Sequence, residues 1–467
     1  MSTEALPAQP LPRTPASQQG VDARGISAFL AALEAAPGIE MHSLQVLRHG
    51  AVVAEGWWNP YSAERPHLLY SLSKSFTATA LGFAVAEGLV DLDASVLSYF
   101  PELDGDVTDE RSRRILVRHV AAMASGHRDE TLGAAASDPT GELVRGFLRL
   151  PPEEEPGSFF AYNQPCTYSI AAIVQRRTGS TLTQYLRPRL FDPLGIGEVA
   201  WTADATGREL GFSGLHAPTE AVARLGQLYL QRGEWNGRQV LSPEWVAEAT
   251  RVHVANPDRA DPDWQQGYCL QFWRSRHGYR GDGAYGQFCL VLPEQDAVVA
   301  ITCQTPDMQG VLDAVWAHLL PALSDPQLGD DVGAGEDALA LELAGLALPP
   351  LPDDGSAAPQ GVFRAATGSE PESLTEVRFE GDEVVLFDSG AELRAVVGRS
   401  GWIGTGALTV SGGVSGSVTG FSVDVVFVET PHRLHLTFIA GTDEFSGRWE
   451  TAPLGAPALR ELRMPRA

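Results

Sequence analysis

Residues 70–89 read YSLSKSFTATALGFAVAEGL, and Lys74 within them is the only lysine of the chain. The stretch lacks proline, is rich in Ala and Leu, and runs into Gly88, which suits the residue just past a helix end. It therefore predicts a helix over 71–87. Ser71 and Lys74 stand three apart at its start, so hydroxyl and amine share one face and can touch. A helix N-terminus adds partial positive charge and free N–H groups beside Ser71. Both effects favour a nucleophilic serine next to an amine of lowered pKa. The apolar run that follows predicts burial, and a buried lysine needs a reason.

The other basic residues are Arg, 33 of the 34 Lys+Arg. Arg replaces Lys at little cost on a surface, but guanidinium cannot lose a proton where chemistry needs a free amine. The chain has 467 residues and a net charge of -25, which disfavours nucleic acid and polyanionic substrates as partners. Cys166, Cys269, Cys289 and Cys303 are spaced too far apart for a zinc cluster or a disulfide framework. They read as small buried apolar residues, with no metal and no cofactor expected. No apolar run is long enough for a membrane span. The first twenty residues lack a basic n-region and an apolar h-region, so a cytoplasmic location is expected.

Outward from the Ser71 helix, residues 43–56 and 287–302 each read as a hairpin, and 167–177 and 219–231 as helices. Together they predict an α+β domain over 23–325, one antiparallel sheet flanked by helices, with a helical subdomain. Residues 1–22 read as a disordered tail. Residues 326–360 read as an acidic, Pro-containing linker with one short helix at 338–348. Residues 361–467 alternate between apolar and polar, with Gly turns, and predict a small β-barrel or sandwich serving as an accessory domain.

The text YSLSKSFTATALGFAVAEGLVDLDASVLSYFPEL, with blocks at 117–130, 156–196 and 214–246, resembles the serine β-lactamase-like family. That family includes class C β-lactamases, DD-peptidases and related esterases, and the resemblance runs over about 23–325. It implies Ser71 as nucleophile, Lys74 as base or activator, and Tyr162 of Tyr162-Asn163-Gln164 as general base and acid. The family has Asn at the third position of that triplet. Gln164 stands there instead, so either Asn163 or Gln164 is implied in the amide contact to substrate. In the family's third motif the register falls on Gly281-Asp282-Gly283-Ala284, where Gly281 replaces a cation and Gly283 leaves room for the substrate backbone. Arg280 would point to the other face of the strand. The Ser71 and Ala284 N–H groups would form the oxyanion hole.

Missing the cation that grips a β-lactam carboxylate, the chain is expected to be a serine hydrolase of small carboxylic esters, and less readily of amides. A D-amino-acid peptidase or β-lactamase, or a silent scaffold protein, are the alternatives. His127, His216 and His277 show no metal spacing and read as hydrogen-bonded or solvated. Trp57, Trp58 and Trp273 are expected in a substrate pocket wall.

Overall fold

A computed structural model describes residues 10–323, 332–353, 355, 357–413 and 420–466. A six-stranded antiparallel sheet runs in the order Ala51–Trp57, Glu40–Arg48, Ala297–Gln304, Gln287–Leu292, Tyr279–Gly283, Trp273–Arg274. Both expected hairpins are there. The first turns at His49 and Gly50 with φ of 51° and 77°, a pair of positive values that matches strand twist. The central strand Ala297–Gln304 is buried along its whole length, because helices cover both faces of the sheet.

The helix Ser73–Ala86 crosses this core and is buried from Ser73 to Ala84. A helix hidden on every side must satisfy its own polar groups. Ser73 Oγ accepts from Leu215 N, Ser75 Oγ donates to Gln271 O, and Thr77 Oγ1 donates to Gly211 O. Gly82 admits the Trp245 ring, which a Cβ would meet at 2.4 Å.

The expected tail 1–22 is corrected from residue 10 onward, while residues 1–9 lie outside the described residues. Leu11, Ala16 and Val21 are buried, and Arg13 bridges Glu55 and Glu220 at 2.7 and 3.0 Å. Apolar anchors spaced along a Pro-rich run let it lie against the sheet edge, where Val52 N donates to Pro12 O. The helix read at 338–348 runs from Val332 to Ala344. Leu339, Leu346 and Leu348 join the main core, so this stretch straps the same edge.

The last hundred residues form a second sheet. Gly361–Ala365, Leu374–Glu380, Glu383–Asp388 and Ala391–Val396 make one meander. Leu408–Gly413, Gly420–Phe427, His432–Ile439 and Glu444–Trp449 make another, and the two join in parallel between Gly361–Ala365 and Glu444–Trp449. Ala391–Val396 returns beside Leu408–Gly413, so the sheet curls around a core holding Phe363, Phe379 and Phe438. It docks on the first domain: Leu68 N donates to Glu429 O at 2.8 Å, and Arg433 pairs with Glu40 at 2.6 Å. Among the described residues no helix is long and apolar enough to cross a membrane.

Candidate active site

Ser71 sits in a single 3-10 turn, Tyr70–Leu72, that leads straight into the helix Ser73–Ala86. Its N–H falls in the first turn, where helices have no internal acceptor. Tyr70 has φ of 47°, a left-handed value that a bulky residue adopts only under restraint. The restraint comes from both domains. Tyr70 Oη and His432 Nε2 are 2.6 Å apart, and the Tyr285 ring stands edge-on to Tyr70 with centroids at 5.4 Å. His432→Leu should take the imidazole partner from a buried phenol, lower stability by about 1–3 kcal/mol, and slow acylation of Ser71. Denaturant melts and the rate of labelling by a fluorophosphonate measure the two effects.

Lys74 is almost fully buried. Its Nζ donates to Ser71 Oγ at 3.1 Å, Gln164 Oε1 at 2.6 Å and Phe212 O at 2.8 Å. Burial pulls its pKa down to about 7, against the opposing carboxylates of Glu130 and Asp282. Tyr162 stacks on Trp273 with centroids at 5.4 Å and presents its ring to Lys74 Nζ at 4.8 Å. Burial, with the Asp282 charge, raises the phenol well above its usual range, while a hydrogen bond to Ser71 opposes this. Ser71 thus bridges an amine able to lose its proton near neutrality and a phenol that holds its own.

Gln164 opens the helix Gln164–Thr178, and the Glu130 carboxylate accepts its backbone N–H at 3.1 Å. Its side chain reaches Lys74. Asn163 points away: its Oδ1 accepts from Thr131 N and Thr131 Oγ1, both at 3.0 Å. Of the two amides, only Gln164 therefore borders the nucleophile. Glu130 went unread in the sequence, although it lies in the quoted block 117–130.

The strand Tyr279–Gly283 is pressed against the serine turn. A Cβ on Gly283 would meet Leu69 O at 2.1 Å, and one on Gly281 would meet Leu72 and Ser75 at 2.5 Å. Gly283 thus permits the close approach of this strand to the backbone of the serine turn. A side chain at Gly281 would have to displace the Leu72 and Ser75 side chains. Arg280 lies on the opposite face, as strand alternation predicts. It is fully buried, paired with Asp282 at 3.0 Å and held over the Trp264 ring at 4.3 Å.

Of the three histidines, His216 borders the same cavity as Ser71, held neutral by burial with its pKa down to about 4. His127 is tied to Ser125 Oγ and Leu150 O, both at 2.9 Å, and His277 lies against Trp316. Trp273 reaches the site through Tyr162. Trp57 and Trp58 do not, because the strand Ala51–Trp57 is the far edge of the sheet and Trp58 donates to Glu34.

The cavity above Ser71 has a volume of about 880 Å³. Leu132, Leu210 and Phe212 make one apolar side, and Leu454, Leu462 and Met464 of the chain's end make the other. This wall was missed in the sequence, where residues 361–467 read as accessory.

The Beta-lactamase family model matches residues 26–322. The 6-aminohexanoate-dimer hydrolase of Paenarthrobacter ureafaciens is 26% identical over 284 residues, covering 56% of this chain and 72% of that protein. The lovastatin esterase of Penicillium rubens is 28% identical over 150 residues, covering 27% of this chain and 37% of that protein. The octameric penicillin-binding protein homologue of Pyrococcus abyssi superposes with a TM-score of 0.50 at 15% identity, covering 88% of this chain and 97% of that one. That coverage takes the structural likeness beyond the family-matched region.

Proposed function

Because the chain belongs to the Beta-lactamase family, whose relatives here are serine β-lactamase-fold hydrolases with esterase and amidase members, we propose that it hydrolyses small carboxylic esters, and less readily amides, through an acyl-enzyme on Ser71. The observation that carries the reading is the Lys74–Ser71–Tyr162 bridge, with Lys74 poised near neutrality. Neutral Lys74 Nζ takes the Ser71 proton as Oγ bonds to the carbonyl carbon. The Ser71 and Ala284 N–H groups receive the oxyanion. Tyr162, kept protonated by burial, passes its proton to the departing oxygen or nitrogen, and the proton that the neighbouring Lys74 took from Ser71 restores the phenol. Water then cleaves the acyl-enzyme by the reverse sequence. Gln164 holds Lys74 on line and faces the substrate with its amide. A metal or organic cofactor has no part in these steps, and the partner is a small molecule. A fluorophosphonate should label the protein, with the label mapping to Ser71; labelling elsewhere alone would overturn the assignment.

The substrate preference follows from Gly281. A β-lactam carries its carboxylate next to the reacting amide, and no cation stands there to hold it. Losing one charge-assisted contact costs about 1.5–3 kcal/mol. On that basis kcat/KM for p-nitrophenyl butyrate should exceed that for nitrocefin by about tenfold or more. A nitrocefin value equal to or above the ester's would sink this preference.

A further inference from the structure

The end of the chain reads LRELRMPR over 459–466, three arginines at a spacing of three in a protein of net charge -25. Apolar residues between them pin the segment down. Leu459 and Leu462 are buried in the core of the second sheet, and Met464 is also buried. Two carboxylates hold its backbone: Leu459 N donates to Asp388 at 2.8 Å and Met464 N to Glu429 at 2.7 Å. The alternation leaves Arg460, Arg463 and Arg466 exposed, and all three line the cavity that holds Ser71. Most arginines of this chain are tied to a carboxylate or a carbonyl, as Arg433 is to Glu40 and Asp424. No ion pair engages these three among the described residues. Of the two acidic residues on the cavity wall, Glu130 already accepts from Gln164 N and Leu132 N, and Glu461 stands on the segment itself.

We propose that this C-terminal segment selects the substrate, with Arg460, Arg463 and Arg466 holding a carboxylate on the part of the ester or amide remote from the scissile bond. The inference rests on the serine-hydrolase reading above and adds the substrate class. Guanidinium groups grip carboxylates in paired hydrogen bonds. The cation absent at Gly281 is thereby replaced by three on the wall of the same cavity. Leu210, Phe212 and Leu462 line the same cavity and would cover a methylene chain.

The test compares kcat/KM for three esters at low ionic strength. These are p-nitrophenyl hexanoate, p-nitrophenyl hydrogen adipate (anion on the acyl side) and 4-carboxyphenyl hexanoate (anion on the leaving side). One of the two anionic esters should lead the neutral one by about tenfold or more, mainly through KM. The lead should shrink as salt is added and collapse in R460Q/R463Q/R466Q. Neutral ester turned over as well as both anionic ones, or a lead that survives in the triple variant, overturns the inference and leaves the hydrolase reading standing. If none of the three esters is hydrolysed and no fluorophosphonate label forms, the hydrolase reading falls, and this inference with it.

Discussion

Ser71→Ala will leave a folded protein with no measurable ester hydrolysis, a loss of at least about 10⁴-fold in kcat. The change deletes one hydroxyl from a short turn whose conformation is held from outside, by His432 and Tyr285 on Tyr70 and by the strand Tyr279–Gly283. Alanine is at home at a helix start that leads into a buried run, so stability should shift by no more than about 1 kcal/mol. Lys74 keeps Gln164 and Phe212 as acceptors, so its amine is not orphaned. The variant therefore separates two readings. A hydrolase loses labelling and turnover together and keeps its melting transition. A silent scaffold has no turnover or label to lose. Residual labelling of the Ser71→Ala variant at the wild-type rate would place the nucleophile elsewhere.

The parts of this site legible in the sequence were those fixed by local geometry. Ser71 and Lys74 are three apart on one helix, and the helix follows from composition alone. Arg280 and Gly281 fall on opposite faces because strands alternate, and they do so here. Asn163 and Gln164 could not be separated, since both are amides at the edge of a helix. The choice is made by Thr131 and Lys74, which come from distant stretches. Glu130 acquires its part only when the Gln164 N–H arrives from 34 residues away. The same limit applies at the ends of the chain. Residues 10–22 have the composition of a tail, yet Leu11, Ala16 and Val21 find partners on the sheet edge. The segment 454–466 meets Ser71 from the opposite end of the chain, and no periodicity encodes such docking. What the sequence did display was the arginine spacing at 460, 463 and 466, a charge pattern without a location.

Lys74→Arg should cost nearly as much as losing the serine, about 10³-fold or more in kcat/KM, within the range expected for a general base and its positioning. Elsewhere in this chain Arg is the ordinary cation, so the substitution keeps charge and follows the protein's own habit. At position 74 the surroundings forbid it. The side chain is fully enclosed, with three acceptors arranged around a compact ammonium. A planar guanidinium is longer, cannot surrender a proton, and would push Tyr162 off its stack with Trp273. The pH dependence gives an independent reading. Burial depresses the Lys74 pKa from 10.5 to about 7, so the neutral amine appears as pH rises through 7. Wild-type kcat/KM should climb across that interval and level off above it. Stability follows the same linkage. The unfolded chain holds the proton up to 10.5 while the folded protein releases it near 7, so stability present above pH 10.5 is lost as pH falls toward 7. The full cost, on the order of 5 kcal/mol, is carried below pH 7. Lys74→Met should accordingly be inactive yet more resistant to denaturant than wild type at pH 6, with the advantage fading as pH rises. If Lys74→Arg keeps most of the wild-type esterase rate, or Lys74→Met is less stable than wild type at pH 6, Lys74 is a structural cation. The search for the base then moves to His216, which borders the cavity where His127 and His277 do not.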